Sequence, residues 1–421
     1  MLTRRALIAV AAIAGGALLA AAASPVTAQP QTETVPERGV YTVLDAEDAA
    51  ERTTVAGSGV DVLGSRDGEL TVVASPAQAR SLRAGGFSLE QVGDFDAMLA
   101  ERSGGRSAQG VDEFPAGDEN YHTYAELTEE LKATERDHAD LATLSSVGRS
   151  QEDRELHLIK ISDNPDIDED EPEVLFTCNQ HAREHLTTEM CLHIVQRFTD
   201  GYAEDAAIRK LVDTREILVV PTVNPDGAEY DISEGQYQGW RKNRQNEGTD
   251  LNRNWGHQWG CCGGSSDRPS SETYRGPSAF SAPESKALAD FVDSRVVGES
   301  QQIKAHIDFH TYSELVLWPY GYTDADTGPG MTSAEAQRFQ DVGKQLAQTN
   351  GYQPQQSSDL YITDGSVNDW MWAEHKILSF TFEMYPSDGI GLDGFYPPDE
   401  VIPRETARND EAVDTLLRAA G

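Results

Sequence analysis

The sequence predicts an α/β protein with a mixed, mostly parallel central sheet and helices on both faces, preceded by a small prosegment. Strand-like and helix-like segments alternate along most of the chain after residue 116. Several strand candidates are continuous apolar runs, which is typical of strands covered on both faces. The chain before residue 116 has a different character, with short strand candidates and no cluster of reactive side chains.

The larger part of the chain contains the strand candidates 156–161, 173–178, 215–223, 304–310, 315–319 and 378–384. Its helix candidates are 187–199, 283–295, 333–348, 367–375 and 404–419. In the first of these helices, Met190, Ile194 and Phe198 form one apolar stripe, which predicts packing against the sheet.

The N-terminal part contains strand candidates at 59–63 and 70–74 and a short helix candidate at 76–84. Residues 101–117 are rich in Gly, Ser, Arg and Asp, which is typical of an exposed linker. We therefore expect a signal peptide at 1–28, a prosegment at 29–115 and a catalytic domain at 116–421.

The first residues resemble a secretory leader. Arg4 and Arg5 precede an apolar stretch that ends near Ala23, and small residues lead to a cleavage-like site at Ala28. This order predicts a secreted protein that is free of the membrane after processing.

Charge and cysteine content limit the possible partners. The net charge is −37, so the surface repels nucleic acid and anionic membranes, and neither is expected to bind. The four cysteines, Cys178, Cys191, Cys261 and Cys262, permit disulfides in an exported protein, and residue counting leaves every pairing open.

Polar residues follow two of the predicted strands. His181 and Glu184 come just after strand 173–178, and one helical turn brings residues three apart to the same side. His310 ends strand 304–310 and could complete an open zinc site. Taken alone, the spacing is also compatible with a polar loop and a carboxylate at the start of a helix.

Five motifs in order resemble the zinc metallocarboxypeptidase family, and especially its secreted bacterial members similar to carboxypeptidase T. They are HAREH at 181–185, WRKNR at 240–244, DLNRNW at 250–255, FHTYS at 309–313 and FTFEM at 380–384. The stretches at 260–266 and 395–400 add to the resemblance, which covers about residues 118–421. It implies a monomeric exopeptidase that acts on peptides and proteins with a free C-terminus.

The resemblance also implies roles for single residues. His181, Glu184 and His310 match the zinc ligands, and Asp250 matches the carboxylate that orients the first of them. Glu383 matches the general base. Arg244 is assigned to the arginine that stabilises the oxyanion.

Substrate contacts are implied in the same way. Asn252 and Arg253 match the clamp on the terminal carboxylate, and Tyr361 matches the tyrosine that closes over it. Arg183 and Tyr312 match residues of neighbouring subsites. Asn368 occupies the position that selects the last side chain; being neither apolar nor acidic, it predicts broad specificity that leans towards neutral and aromatic residues.

Two further features accompany the resemblance. Cys178 and Cys191 match a known disulfide, and Cys261 and Cys262 are candidates for a vicinal bridge. The acidic run 168–173 resembles calcium ligands, with oxygen donors that suit this ion, although a solvated acidic loop is an equal alternative. The candidate calcium ligands are Asp168, Glu169, Glu171 and Glu173.

Two other functions are compatible with parts of this pattern. Relatives that cleave peptidoglycan stem peptides diverge in the carboxylate clamp, which is intact here. A non-catalytic, calcium-binding protein with a peptidase fold would be expected to lack Glu383 or a zinc ligand, and both are present.

Overall fold

A computed structural model describes residues 38–66, 68–104, 113–387 and 391–421. The chain divides into residues 1–35 and 36–421, and the predicted leader lies outside the described residues. In the described part of the chain, no helix combines the length and apolar character needed to cross a bilayer.

Residues 39–102 form a small domain with an antiparallel sheet of four strands in the order β2-β3-β1-β4. Its strands are β1 (Gly39–Val43), β2 (Asp61–Arg66), β3 (Glu69–Ala74) and β4 (Leu89–Asp94). Its helices are α1 (Ala49–Gly57), α2 (Pro76–Ala84) and α3 (Phe95–Arg102). The predicted strands and helix of this segment correspond to β2, β3 and α2.

The small domain packs directly on the rest of the chain. Phe95 and Leu99 of α3 belong to the same buried cluster as the central sheet of the larger domain. Gly239 lies against this contact with a φ of +70°, and a Cβ at this position would come within 2.8 Å of the Phe95 ring. The close approach and the left-handed backbone both require glycine at position 239.

The larger domain contains a sheet of eight strands in the order β13-β12-β14-β11-β7-β8-β6-β5. These strands are β5 (Ala142–Arg149), β6 (Glu155–Ile161), β7 (Glu173–Cys178), β8 (Glu216–Val220), β11 (Ile303–Thr311), β12 (Leu315–Trp318), β13 (Gln353–Gln356) and β14 (Leu378–Met384). Between them, β9 (Val296–Val297) and β10 (Ser300–Gln301) form a separate short hairpin.

Helices connect and cover these strands. They are α4 (Tyr124–Asp137), α5 (His185–Gly201), α6 (Ala206–Val212), α7 (Pro225–Asp231), α8 (Pro283–Ser294), α9 (Ser333–Asn350), α10 (Ser357–Leu360), α11 (Val367–His375), α12 (Ile402–Ala407) and α13 (Asp410–Ala419). Adjacent residues of β7 belong to opposite buried clusters, Phe176 to one and Leu175 to the other. The sheet is therefore covered on both faces, as predicted.

The central pairings are parallel: β11 pairs with β7 and with β14, and β7 pairs with β8. The β12–β14, β6–β8 and β5–β6 pairs are antiparallel. The prediction of a mixed, mostly parallel sheet is thus confirmed. Strands β5 and β13 were not predicted, because both lie at sheet edges and carry mostly polar or partly exposed residues.

The prediction of one continuous helix at 404–419 is wrong, because the chain forms two helices, α12 and α13, that meet at Asn409. The buried Asn409 side chain donates to the Glu405 carbonyl at 3.0 Å and accepts from the Asn350 amide at 3.0 Å. This asparagine satisfies a helix-end carbonyl with its side chain, which marks the junction between α12 and α13.

The cysteines form two disulfides. Cys178–Cys191 joins the end of β7 to α5, as the resemblance implied. Cys261 pairs with Cys262 in an exposed loop.

Candidate functional site

The loop between β7 and α5 is shaped by Asn179. Its φ of +57° is left-handed, which asparagine tolerates better than most residues. Its side-chain amide donates to the His181 carbonyl at 3.1 Å, and its carbonyl accepts from the Thr222 hydroxyl at 3.0 Å. The turn therefore presents His181 and Glu184 at the carboxyl end of the sheet, where α/β proteins place their sites.

The two residues of this loop meet His310 at the end of β11. The Nδ1 atoms of His181 and His310 lie 3.0 Å apart. Each is 2.9 Å from an oxygen of Glu184. All three side chains are buried, so the structure assembles the predicted triad.

Carboxylates hold the outer nitrogen of each histidine. Asp250 lies 3.1 Å from His181 Nε2, as predicted. Asp308 lies 2.6 Å from His310 Nε2 and was missed in the sequence, where it resembles an ordinary strand residue. A neutral imidazole that donates from Nε2 to a carboxylate keeps a lone pair on Nδ1, and Nδ1 is the atom that faces Glu184 in both histidines.

The triad is suited to a divalent cation. Burial alone would raise the pKa of Glu184, but His181 and His310 lower it instead. The same balance holds for Asp250, whose pKa is lowered well below its usual value by Arg241 and His181 despite burial. Two imidazole nitrogens and one carboxylate form a ligand set typical of catalytic zinc, so the residues fit this metal.

Glu383 lies beside the triad because β14 runs parallel to β11. In that pairing, Glu383 is the register partner of His310. It lines the same pocket as the triad. Burial raises the pKa of Glu383 to about 8; His310 opposes this shift and Glu184 adds to it. The carboxylate therefore has a high proton affinity for an acid of its type.

The structure corrects the assignment of Arg244. Its guanidinium stacks 3.5 Å over the Tyr230 ring and 4.7 Å over Trp240, and it does not line the pocket. Arg241 lines the pocket instead and donates to Asp250 at 3.0 Å. The WRKNR motif contains two arginines, three residues apart, and the pocket contains only the first of them.

A main-chain contact explains why Arg241 is the one that enters the pocket. The Ala182 amide donates to the Arg241 carbonyl at 3.0 Å, which ties Arg241 to the histidine loop. Arg244 lies three residues further along the chain, beyond this contact.

The predicted carboxylate clamp lines the same pocket, next to the metal-site residues. Asn252 and Arg253 form a short 3-10 turn after Asp250, whose side chain accepts from the Asn252 amide at 3.0 Å. The Asn252 side chain is fixed by the Val367 amide, 3.0 Å from its oxygen. Tyr361 follows α10 and also lines the pocket.

Asn368 and Thr381 line the inner part of this pocket with apolar and small residues. The Asn368 side chain is hydrogen-bonded to Thr381 at 2.7 Å and to Ser379 at 2.8 Å. The other lining residues of this part are Leu317, Ser357, Leu360, Thr363 and Ser366.

Two predicted subsite residues contact the small N-terminal domain. Arg183 forms a bidentate pair with Asp61 of β2, at 2.6 and 3.0 Å, and stacks 4.0 Å over Phe395. Tyr312 packs against Phe395 and lies beside Gly64, where a Cβ would be 3.5 Å from its ring. The small domain therefore lies over this end of the pocket.

The acidic run divides into two groups. Arg295 donates to Asp168 at 2.8 Å and to Glu173 at 3.0 Å, so a side-chain cation already neutralises these two predicted ligands. Glu169 and Glu171 instead lie close to Asp163, which was not among the predicted ligands. In the described chain, Asp163 Oδ1 and Glu171 Oε2 are buried without a hydrogen-bond partner.

Comparison with known proteins agrees with this geometry. Residues 127–412 match the zinc carboxypeptidase family. The chain is 52% identical over 398 residues to a zinc carboxypeptidase of Saccharothrix mutabilis subsp. capreolus, covering 93% of this chain and 91% of the relative. It is 31% identical over 294 residues to human carboxypeptidase A6, covering 68% of this chain and 64% of that protein.

A solved structure has the same fold. Carboxypeptidase A from Helicoverpa armigera superposes with a TM-score of 0.75 at 22% identity, covering 91% of this chain and 98% of that one. The family match and the high identity to a bacterial member show that this chain belongs to the zinc carboxypeptidase family of metal-dependent peptidases.

Proposed function

We propose that this protein is a secreted exopeptidase that removes the last residue of peptides and proteins and is made as an inactive precursor. The observation that carries the proposal is the position of Asn252, Arg253 and Tyr361 in the same pocket as the His181–Glu184–His310 triad. A carboxylate clamp beside a zinc site restricts hydrolysis to the final peptide bond.

The chemistry is divided among a few residues. When held by His181, Glu184 and His310, zinc supplies a Lewis acid that polarises a carbonyl and makes a neighbouring water more acidic. Glu383 is the proposed base that takes a proton from the attacking water and passes it to the leaving amine. Its raised pKa favours holding that proton between the two transfers.

Arg241 is the proposed partner of the developing oxyanion. Its guanidinium lies in the pocket and is fixed by two contacts to Asp250, at 3.0 and 3.2 Å. A pre-positioned cation stabilises charge that develops in the transition state without reorganising at that moment. Asp250 therefore orients both His181 and Arg241.

The specificity pocket supports broad preference for neutral side chains. The wall residues Leu317, Leu360 and Thr363 are apolar or small, and Asn368 carries no charge. Asp359, an acidic residue two positions before Tyr361, accepts from the Gln356 amide at 3.1 Å at the start of α10. Among the described lining residues, the only acids are Glu184 and Glu383, which belong to the proposed catalytic centre, so no further acid is present to select lysine or arginine.

The small domain is the proposed inhibitory prosegment. Val62, Leu63 and Gly64 of β2 line the pocket itself. Asp61 forms an ion pair with Arg183, the residue that a substrate would otherwise contact. The domain therefore covers subsites on the upstream side of the scissile bond.

Helix α1 adds contacts around Tyr361. Arg52 donates to the main-chain carbonyls of Asp359 and Leu360, each at 2.6 Å. The Ile362 amide donates to the Thr53 hydroxyl at 2.9 Å. These bonds on both sides of Tyr361 hold its segment in place while the small domain is attached.

The activating cut is proposed to fall in the linker, where the sequence offers Arg106, outside the described residues. Arg102, the other arginine of the linker range 101–117, donates to Asp118 at 2.7 Å and to the Tyr396 carbonyl at 2.8 Å. These bonds fix it against the larger domain and make it a poor protease site.

Calcium is proposed to bind Asp163, Glu169 and Glu171. Their oxygens lie within 4.8 Å of one another, and burial together with the neighbouring carboxylates raises the pKa of Asp163 and Glu171. A hard cation with oxygen ligands would relieve this repulsion. Secretion into a calcium-containing exterior is supported by the leader-like start and by the two disulfides.

The clamp predicts a strict need for a free C-terminus. The processed protein should release the last residue from a blocked dipeptide, and a zinc chelator should abolish this activity. Amidation of the same dipeptide should lower kcat/KM by on the order of a thousandfold, because the charge-assisted bonds to Arg253 are lost. Comparable rates on the acid and the amide, measured by amino-acid release, would exclude the clamp.

Arg241 and Arg244 can be tested as a matched pair. We expect Arg241→Ala to lower kcat by about a hundredfold to a thousandfold, with a small change in KM, because a transition-state contact is lost. Arg244→Ala should remain within about threefold of the parent, since it loses only stacking on Tyr230 and Trp240. Steady-state kinetics of both variants decide the assignment; an equal loss in both would contradict it.

The prosegment contacts predict the effect of Asp61→Ala in the full-length protein. Removing Asp61 leaves Arg183 buried and unpaired under the small domain, which should loosen the domain and raise the activity of the uncut protein at least about tenfold. Glu69→Ala, at an exposed position of β3, is the matched control and should stay as inactive as the parent. The proposal fails if the uncut parent already equals the mature enzyme in kcat/KM.

The acidic cluster predicts stabilisation by calcium. At a hundredfold excess over its Kd, calcium should add about 2.7 kcal/mol to the free energy of unfolding. Asp163→Asn should remove most of the rise in Tm, whereas Asp168→Asn should keep it because Asp168 pairs with Arg295. Thermal unfolding of the parent with and without calcium provides the measurement, and an unchanged Tm would argue against the site.

A further inference from the structure

A buried carboxylate near the pocket holds one short loop together. Asp364 is fully buried, and both of its oxygens accept hydrogen bonds from residues 260–265, which we call the cysteine loop. The donors are the main-chain amides of Gly260, Cys262 and Gly264, at 3.2, 3.1 and 3.0 Å, and the Ser265 hydroxyl. Each carboxylate oxygen thus accepts from two donors of the same loop.

The carboxylate and the cysteine loop depend on each other. A buried carboxylate is costly unless hydrogen bonds replace its contacts with water, and Asp364 receives these bonds from the loop. In return, several amides of one loop converge on a charged acceptor, and such bonds are roughly twice as strong as bonds between neutral groups. The main chain of the loop is therefore fixed by a side chain from a different part of the sequence.

The disulfide of this loop acts in the same direction. The Cys261–Cys262 bridge closes a small ring that contains the peptide between the two cysteines. The N–H of that peptide belongs to Cys262 and donates to Asp364. Because the ring restricts rotation about this peptide, the bridge helps to keep the N–H aimed at the carboxylate.

The cysteine loop also contacts the arginine of the carboxylate clamp. The Gly264 carbonyl accepts from Arg253 Nε at 3.1 Å, and the Asn252 carbonyl accepts from Arg253 Nη1 at 2.8 Å. Bonds to two different nitrogen atoms fix the plane of the guanidinium. Gly264 thus bonds to Asp364 through its amide and to Arg253 through its carbonyl.

Main-chain packing leaves Gly264 little room to move. A Cβ at this position would lie 2.5 Å from Thr363 Cα, so the cysteine loop lies directly on a residue of the pocket wall. On the other side of Asp364, the Gly365 carbonyl accepts from the Trp255 amide at 3.0 Å. The segment 363–365 is therefore bonded both to the cysteine loop and to the chain that follows Arg253.

We infer that Asp364 is a positioning residue for the carboxylate clamp, and that it acts on Arg253 through the Gly264 carbonyl. The inference rests on the proposed function, which gives Arg253 the role of binding the terminal carboxylate. Arg253 lines the pocket, whereas Asp364 does not, so Asp364 acts without touching the substrate. A bidentate pair with a carboxylate requires a fixed guanidinium plane, which is the property that Asp364 protects.

The ratio of kcat/KM for a blocked dipeptide to kcat/KM for its C-terminal amide measures the clamp. In the mature parent enzyme this ratio should be on the order of a thousand. Asp364→Asn keeps the size of the side chain but places an NH₂ group against at least one main-chain amide, which displaces the loop. We expect the ratio to fall about tenfold, through a higher KM for the acid, with the rate on the amide nearly unchanged. An unchanged ratio in the folded variant would overturn the inference.

Asp226→Asn is the matched control. Asp226 is also buried and accepts from a main-chain amide, that of Glu152 at 2.7 Å, and from the Ser150 hydroxyl at 2.7 Å. Its partners do not line the pocket, so this variant should lose stability and keep the ratio. Loss of folded enzyme lowers both rates equally. An equal fall of the ratio in both variants would therefore show general loosening and contradict the role of Asp364.

A double substitution separates this inference from the proposed function. Arg253→Ala should lower the ratio strongly, and adding Asp364→Asn should lower it no further, because Asp364 acts through Arg253. If Arg253→Ala keeps the ratio of the parent, the proposed clamp fails and the inference fails with it. If Arg253→Ala lowers the ratio and Asp364→Asn does not, only the positioning role fails.

Ser265→Ala keeps the inference testable if Asp364→Asn does not fold. It removes one donor to the carboxylate and leaves the three main-chain amides in place. We expect the ratio of acid to amide to fall about threefold, again through the KM for the acid. A ratio equal to that of the parent in this variant would then overturn the inference.

Discussion

The parallel pairing of β11 with β7 on one side and β14 on the other is the constraint on which the site depends. It brings the carboxyl ends of three strands to one edge, so residues far apart in the sequence become neighbours. His310 ends the middle strand, the loop with His181 follows the first, and Glu383 lies in register on the third. A change of one residue in either register would turn these side chains to the other face of the sheet.

Burial of so much charge at that edge requires compensation. The triad, Asp250, Arg241 and Asp308 are all nearly inaccessible to solvent. Asp250 and Asp308 each accept at least two hydrogen bonds, and each histidine has one of these two carboxylates behind it. Without a metal, only these hydrogen-bonded pairs offset the buried negative charge of the carboxylates. A cation bound by the triad adds positive charge at its centre.

Prediction from the sequence succeeded where the pattern is local and failed where it depends on tertiary contacts. The central strands were found because burial on both faces gives continuous apolar runs, while the polar edge strands β5 and β13 lack that pattern. The ligand spacing together with the family resemblance identified the triad. Arg241 could not be separated from Arg244, because the contacts that distinguish them, to Asp250 and to the Ala182 amide, exist only in the folded chain. Asp163 lies five residues before the acidic run and joins it only through a turn.

The contacts of the small domain differ in what they allow to change during evolution. Arg52 binds main-chain carbonyls at Asp359 and Leu360, so side chains beside the pocket can be replaced without disturbing that contact. Asp61 binds the side chain of Arg183, and a change in one requires a change in the other. The side chains at 359 and 360 can thus diverge among relatives that keep the same small domain, whereas Arg183 is tied to it.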